Sequence, residues 1–241
     1  MIKKKSRVFV TGHKGLVGSA VVRKLTDRGY KNIITVSRNK LDLRNQKEVF
    51  NFFKKKRIDA VINAAGRVGG IYANNKYKAD FIYDNLAIQN NIIHACYKNK
   101  VKSLIFLGSS CIYPKNSKQP IKEKYLLSGS LEETNIWYAI AKISGLKLMQ
   151  SINKQFNKKF VALMPTNLYG PFDNFDKKSS HVIPALIRKF NEAILKKSNS
   201  VEVWGTGKPK REFLHVDDLA SAVMYAMENE LTEDIYNIGT G

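Results

Sequence analysis

Tyr138 and Lys142 bracket a Tyr-Ala-Ile-Ala-Lys stretch, a spacing that puts a phenol and an ammonium on one face of a helix. An ammonium beside a phenol favours the phenolate. It would move the hydroxyl from a reference pKa of about 10 toward the range where it trades a proton with a carbonyl substrate. The spacing alone proves little, because Tyr72 and Lys76 repeat it. Tyr138 differs in having Ser109 upstream, a hydroxyl at the end of the apolar run Leu104-Ile105-Phe106-Leu107, where a strand of a parallel sheet delivers ligand-handling groups.

A second constellation lies near the start. Gly12, Gly15 and Gly18 form a G-x-x-G-x-x-G loop directly after the strand-like run Arg7-Val8-Phe9-Val10-Thr11 and at the opening of a helical pattern. Strand before and helix after are the context in which such glycines present backbone N–H groups to a pyrophosphate. In dinucleotide sites an acidic residue about twenty positions further on holds the ribose hydroxyls of NAD, and an arginine suits the 2′-phosphate of NADP. The second strand ends here at Ser37-Arg38, with Lys14 inside the glycine loop as another positive charge, so NADPH is the expected cofactor. Surface charges in a lysine-rich chain are the bland alternative for both. Asp42 lies too far along to supply the acid.

These groups need a scaffold, and the sequence supplies one. Short β-branched runs at Arg7–Thr11, Ile33–Ser37, Ile58–Asn63, Leu104–Ser109 and Phe160–Met164 alternate with helical patterns. The helices are expected at Leu16–Arg28, Gln46–Lys55, Ala79–Lys98, Ile136–Asn153 and His181–Lys196. The alternation predicts an α/β fold with a doubly wound parallel sheet, and the nearly unbroken apolar strands fit burial on both faces. We expect residues 1–165 to form the dinucleotide-binding domain and residues 166–241 a partial substrate-binding lobe interleaved with the last sheet strands. That second part is punctuated by Pro165, Pro171 and Pro184, with short strands around Val201–Trp204 and Glu212–Val216. The chain ends at Ile235–Gly241, which reads as one more strand running into a turn and is taken as a C-terminal truncation.

Composition narrows the class. With 241 residues, 44% of them hydrophobic, the chain can bury one large core with a small appended lobe. No apolar run reaches the eighteen or so residues of a membrane span, and the basic start Met1–Lys5 precedes only Val8-Phe9-Val10, too short for a signal peptide, so no membrane partner and a cytoplasmic location are expected. Cys96 and Cys111 with four histidines show no metal-ligand spacing, and no metal is expected. The net charge of +21 invites a nucleic-acid reading. Its lysines are spread along the chain, however, as at Lys54-Lys55-Lys56 and Lys196-Lys197, which suits solvated faces and argues against a specific nucleic-acid partner.

Ser109, Tyr138 and Lys142 in that order resemble the working triad of the short-chain dehydrogenases/reductases, and longer motifs point to the extended, nucleotide-sugar branch. They are Asn63-Ala64-Ala65-Gly66, Gly108-Ser109-Ser110-Cys111-Ile112-Tyr113-Pro114, Met164 to Pro171, Ser180-His181-Val182-Ile183-Pro184-Ala185-Leu186, and Arg211 to Asp218. The resemblance covers the whole chain and implies a Rossmann fold with a smaller, truncated substrate lobe, a GDP-sugar substrate and a homodimer. It implies conversion of GDP-4-keto-6-deoxy-D-mannose to GDP-L-fucose, by epimerisation at carbons 3 and 5 and hydride reduction at carbon 4. Cys111 and His181 match the proton-exchanging pair, with a buried cysteine and a helix-capping histidine as the plain alternatives. By the same resemblance Gly12, His13, Lys14, Gly15, Leu16, Val17, Gly18, Arg38, Leu107, Gly108, Ser109, Lys142, Pro165, Thr166, Asn167, Leu168 and His181 contact NADP(H). Lys189, Trp204 and Arg211 would hold the GDP end, Trp204 being equally suited to the core of the lobe. Another nucleotide-sugar epimerase or reductase is the alternative within the family. A non-catalytic dinucleotide- or RNA-binding protein is the alternative outside it.

Overall fold

The computed structural model describes residues 2–203 and 205–241. Its centre is a six-stranded, wholly parallel sheet built from β1 (Arg7–Thr11), β2 (Asn32–Ile34), β3 (Ala60–Asn63), β4 (Ser103–Leu107), β5 (Val161–Pro165) and β8 (Ile235–Ile238), in the spatial order β2-β1-β3-β4-β5-β8. From β1 the chain moves to β2 on one side and then crosses to β3 on the other. The strand order therefore reverses between β1 and β3, and the crevice beyond their carboxyl ends is where doubly wound sheets take ligands.

Both faces of the sheet are covered. Phe9, Val61, Leu104, Phe106 and Ala162 face a cluster formed with α2 (Gln46–Lys56), α4 (Lys78–Lys98) and α5 (Ile136–Phe156), in which α4 and α5 lie side by side. Val8, Val10, Ile62, Ile105 and Leu163 face α1 (Leu16–Asp27) and α7 (Val216–Glu228). This two-sided burial is why the strands read as continuous apolar runs instead of alternating ones.

The differences from the sequence reading lie mostly after Pro165. Asn167–Tyr169 forms β6 and pairs in parallel with β7 (Phe213–His215) in a separate two-stranded sheet, while α6 (Val182–Leu195) lies between them in the chain. Val201–Val203 is not a strand, and Trp204 lies outside the described residues. The sequence predicts only a strand around Glu212–Val216, where the chain forms β7 and then turns directly into α7. Yet Val216, Leu219, Ala220, Val223, Met224 and Met227 carry a helical repeat, and Asp217 and Asp218 favour a helix start. The His215 ring accepts a hydrogen bond from the Asp217 N–H at 3.3 Å and caps that start. A short α3 (Ile71–Lys76) also went unread, and it places the decoy pair Tyr72 and Lys76 on an exposed surface helix. Strand β2 stops at Ile34, three residues early, so Arg38 stands in the turn that follows. Among the described residues no helix is long and apolar enough to cross a membrane.

Candidate active site

The glycine loop leaves β1 at Gly12, whose φ of +66° is open to glycine at little strain. A side chain there would also meet the Ala64 carbonyl oxygen at 2.7 Å. At Gly18 an added carbon would run into the Gly12 carbonyl, so this glycine lets α1 sit tight against the loop. Gly15 caps α1 without any side-chain hydrogen bond, and the first N–H groups of the helix are thus not met by a capping side chain. At the end of β1 itself, Thr11 Oγ1 donates to Asn63 Oδ1 at 2.8 Å and accepts from the Ala65 N–H at 3.0 Å, locking the ends of β1 and β3 together. His13, Leu16 and Val17 are partly buried around the loop, and Lys14 is exposed on it.

Arg38 is exposed beyond β2, with its positive charge felt at Asp42. Asp42 is engaged elsewhere. Arg44 donates to both of its oxygens, at 2.7 Å for the shortest contact, and these bonds hold the carboxyl down at about 2. The strand-end region therefore presents a free-standing guanidinium and no unpaired acid, which fits a 2′-phosphate.

Strand β4 ends at Leu107, and the chain continues through Gly108 to Ser109, which is extended and caps a 3-10 turn over Ser110–Ile112. An added carbon at Gly108 would displace the Met164 thioether packed against it. Ser109 Oγ accepts from the Cys111 N–H at 3.2 Å and its side chain hydrogen-bonds Tyr138. Lys142, one turn beyond Tyr138 on α5, is only 5% exposed, and its ammonium donates to the Leu107 carbonyl at 2.8 Å. Its Nζ lies 5.7 Å from the Tyr138 ring centre and 3.7 Å from where a side chain at Gly66 would begin. Serine, phenol and amine thus converge at the carboxyl ends of β3 and β4.

The electrostatics correct two expectations. Lys142 does not depress the Tyr138 pKa; burial and the adjacent Cys111 sulfur hold the phenol above its usual range, against the Ser109 hydrogen bond. The reason is that Lys142 hydrogen-bonds the Leu107 carbonyl and is itself pushed down to about 8 by burial. Cys111 is likewise pushed up by burial, although the Ser109 hydrogen bond and the Arg211 charge pull the other way, so the nearby cation does not win. Both groups rest in their protonated forms.

His181 is the residue before α6 and keeps an exposed surface; the protein packed around its ring lowers its pKa by desolvation, while the Asp173 carboxylate raises it. Asp173, which the sequence reading passed over, sits in a turn after Phe172, a bulky residue at φ +68°. One of its oxygens, Oδ2, is buried with no hydrogen-bond partner. The Gly70 N–H donates to the Ser179 carbonyl at 3.0 Å and ties the segment before His181 to the loop after β3. Pro165 closes β5, and Leu168 lies in β6. Thr166 Oγ1 and Asn167 Nδ2 both donate to the Glu212 carbonyl, at 2.8 and 3.0 Å, which anchors the neighbour of Arg211. Arg211 is exposed, and Lys189 donates to the Glu202 carbonyl at 2.8 Å. Asn135, also passed over, donates to the Cys111 sulfur at 3.3 Å. Neither Asn135 nor Asp173 carried a motif signal, because a lone amide or carboxylate at a loop position has no periodicity or spacing to betray it.

A parallel nucleotide-binding sheet with serine, tyrosine and lysine gathered at its strand ends defines an enzyme of the short-chain dehydrogenase/reductase class. The chain belongs to the NAD dependent epimerase/dehydratase family, which matches residues 8–239. It is 52% identical to GDP-L-fucose synthase of Escherichia coli over 98% of this chain and 77% of that one. Among solved structures it resembles a GDP-mannoheptose C4 reductase from Campylobacter jejuni with NADP bound, at a TM-score of 0.90 and 39% identity, over 100% of this chain and 82% of the other. It equally resembles a GDP-L-fucose synthetase from Naegleria fowleri bound to NADP, at a TM-score of 0.90 and 32% identity, over 100% and 79%.

Proposed function

We propose that the chain is an NADPH-dependent epimerase-reductase that converts GDP-4-keto-6-deoxy-D-mannose to GDP-L-fucose. The carrying observation is the coupled cluster of Ser109, Cys111 and Tyr138, in which one serine hydroxyl touches both a thiol and a phenol. One acid is thereby available for the carbonyl oxygen and another for a neighbouring carbon, which is what reduction and epimerisation at adjacent positions require. The relatives' names, GDP-L-fucose synthase and its NADP-bound counterpart, support the same substrate and cofactor.

NADPH, when bound, supplies the hydride. The glycine loop from Gly12 to Gly18, Arg38, Leu107, Gly108, Lys142 and the segment Pro165–Leu168 are the residues we assign to holding it. The ketone at carbon 4 acidifies the hydrogens on carbons 3 and 5. Cys111 and His181 then exchange those protons, one removing and the other returning from the opposite face. A neutral imidazole, favoured by the partial desolvation of the ring, is able to accept a proton, and a thiol is able to give one. In the reduction Tyr138, held protonated, donates to the oxygen at carbon 4 while Ser109 hydrogen-bonds the same oxygen. Lys142 places a buried positive charge near the phenol, whose oxygen gains negative charge as the proton leaves. Arg211 and Lys189 meet the diphosphate, and within residues 166–241 the partial substrate lobe is what remains outside α7 and β8, which complete the central sheet layer.

The cytoplasm and a homodimer complete the reading. Tyr83 on α4 and Trp137 and Phe156 on α5 remain exposed on one helical layer, which supports a covered face. The direct test is incubation of the purified protein with GDP-4-keto-6-deoxy-D-mannose and NADPH. GDP-L-fucose is the expected product; a product reduced at carbon 4 without inversion at carbons 3 and 5 would assign a simple reductase instead.

A further inference from the structure

Asn135 ends the 3-10 turn Glu133–Asn135 that leads into α5, three residues before Tyr138. Its Nδ2–H donates to the Cys111 sulfur at 3.3 Å, while its Oδ1 is buried with no hydrogen-bond partner. A buried amide that leaves its acceptor unmet is unfavourable and needs a reason. Here the amide is oriented for its donor: the N–H is satisfied by sulfur and the oxygen goes without. Four groups face that sulfur. The Ser109 hydroxyl belongs to the same turn, Tyr138 and Asn135 come from the α5 side, and the Arg211 charge reaches across from the segment before β7. Ser109 divides its hydroxyl between Tyr138, the Cys111 N–H and the thiol, and Arg211 is exposed and acts through its field alone. Asn135 is the neutral donor set directly on the sulfur from a second element.

We propose that Asn135 is a positioning residue for Cys111: its amide N–H fixes the direction of the sulfur and stabilises the thiolate each time the thiol gives up its proton. A hydrogen bond donated to the charged form of an acid favours that form, and the contact also keeps the sulfur from rotating into the core. The inference rests on the reading of Cys111 as one of the two proton-exchanging groups. Its physical part, the effect of Asn135 on the thiol, is measurable without substrate.

The experiment uses the intact protein and two variants, Asn135→Ala and the near-isosteric Asn135→Asp. Iodoacetamide alkylation is followed from neutral to alkaline pH. Cys96 is fully buried, and Cys111→Ser identifies the reacting thiol. The alkylation midpoint should rise by about half to one pH unit in Asn135→Ala, the equivalent of one lost hydrogen bond. It should rise further in Asn135→Asp, where a negative charge replaces the donor. Exchange of substrate protons with solvent should slow about fivefold in Asn135→Ala, with NADPH affinity unchanged. A wild-type midpoint in Asn135→Asp, which keeps the shape of the side chain, would show a merely structural role and overturn the proposal, as would a midpoint that falls in Asn135→Ala. Should Cys111→Ser still exchange substrate protons, the catalytic reading of Cys111 fails, and the alkylation arm alone decides whether Asn135 tunes the thiol.

Discussion

Lys142→Met exchanges a buried ammonium for an apolar side chain of similar length. Burial holds the Lys142 pKa at about 8, against the usual lysine value of 10.5. At about 1.4 kcal/mol per pH unit, this gap means that folding with a charged Lys142 costs about 3 kcal/mol relative to folding with a neutral one. Below pH 8 both folded and unfolded chains carry the proton and the whole penalty is present. Between about 8 and 10.5 the unfolded chain keeps a proton that the folded chain has lost, so stability rises with pH through that window; above it the penalty is gone. Removing the amine also removes its hydrogen bond to the Leu107 carbonyl, a loss of about 1 kcal/mol. Lys142→Met should therefore be more stable than the wild type by about 2 kcal/mol at neutral pH, and the gain should vanish or reverse as pH approaches 10.5. Urea unfolding of both proteins, monitored by tryptophan fluorescence at neutral pH and again near pH 10.5, measures the difference directly. A variant less stable than the wild type at neutral pH, or a difference that ignores pH, refutes the picture of an ammonium held against its own desolvation. The same variant should lose reductase activity, since stability is sacrificed here to keep a charge beside the phenol.

Three other substitutions probe the remaining assignments. Tyr138→Phe keeps the ring but removes the proton donor, and NADPH oxidation in the presence of the keto-sugar should fall by at least about a hundredfold; an unchanged rate removes Tyr138 from the chemistry. Cys111→Ser should block exchange of substrate protons with solvent, read by deuterium incorporation, while NADPH affinity measured by fluorescence titration stays at the wild-type value. Arg38→Ala should weaken NADPH binding by about tenfold or more and leave NADH binding unaltered, the expected loss of a charge-assisted phosphate contact; a wild type that already prefers NADH sinks the cofactor assignment.

The site was legible where chemistry imposes local patterns. Gly12, Gly15 and Gly18 were readable because a strand-to-helix turn around a pyrophosphate demands backbone without side chains, and the structure gives Gly12 a positive φ and Gly18 no space. Tyr138 and Lys142 were readable because a helix repeats every three to four residues, and Ser109 because an apolar strand announces its own end. Helix α7 carried an equally local signal that was overlooked, whereas β6 and β7 are three residues each and acquire meaning only by pairing with one another. Asn135 and Asp173 had no local signal at all. Their roles come from a hydrogen bond to Cys111 and a charge interaction with His181, residues 24 and 8 positions away in the chain respectively.

The direction of each proton was likewise beyond the sequence. Residue types and spacing named a phenol, an amine, a thiol and an imidazole, because reactivity at that level belongs to the side chain itself. Which of them is charged depends on how far each is withdrawn from water and which partner satisfies it. Only the folded chain decides that: the amine that was expected to depress the phenol instead meets the Leu107 carbonyl, and burial of the phenol raises its pKa. Desolvation is a sum over everything packed around an atom, and no stretch of sequence contains that sum.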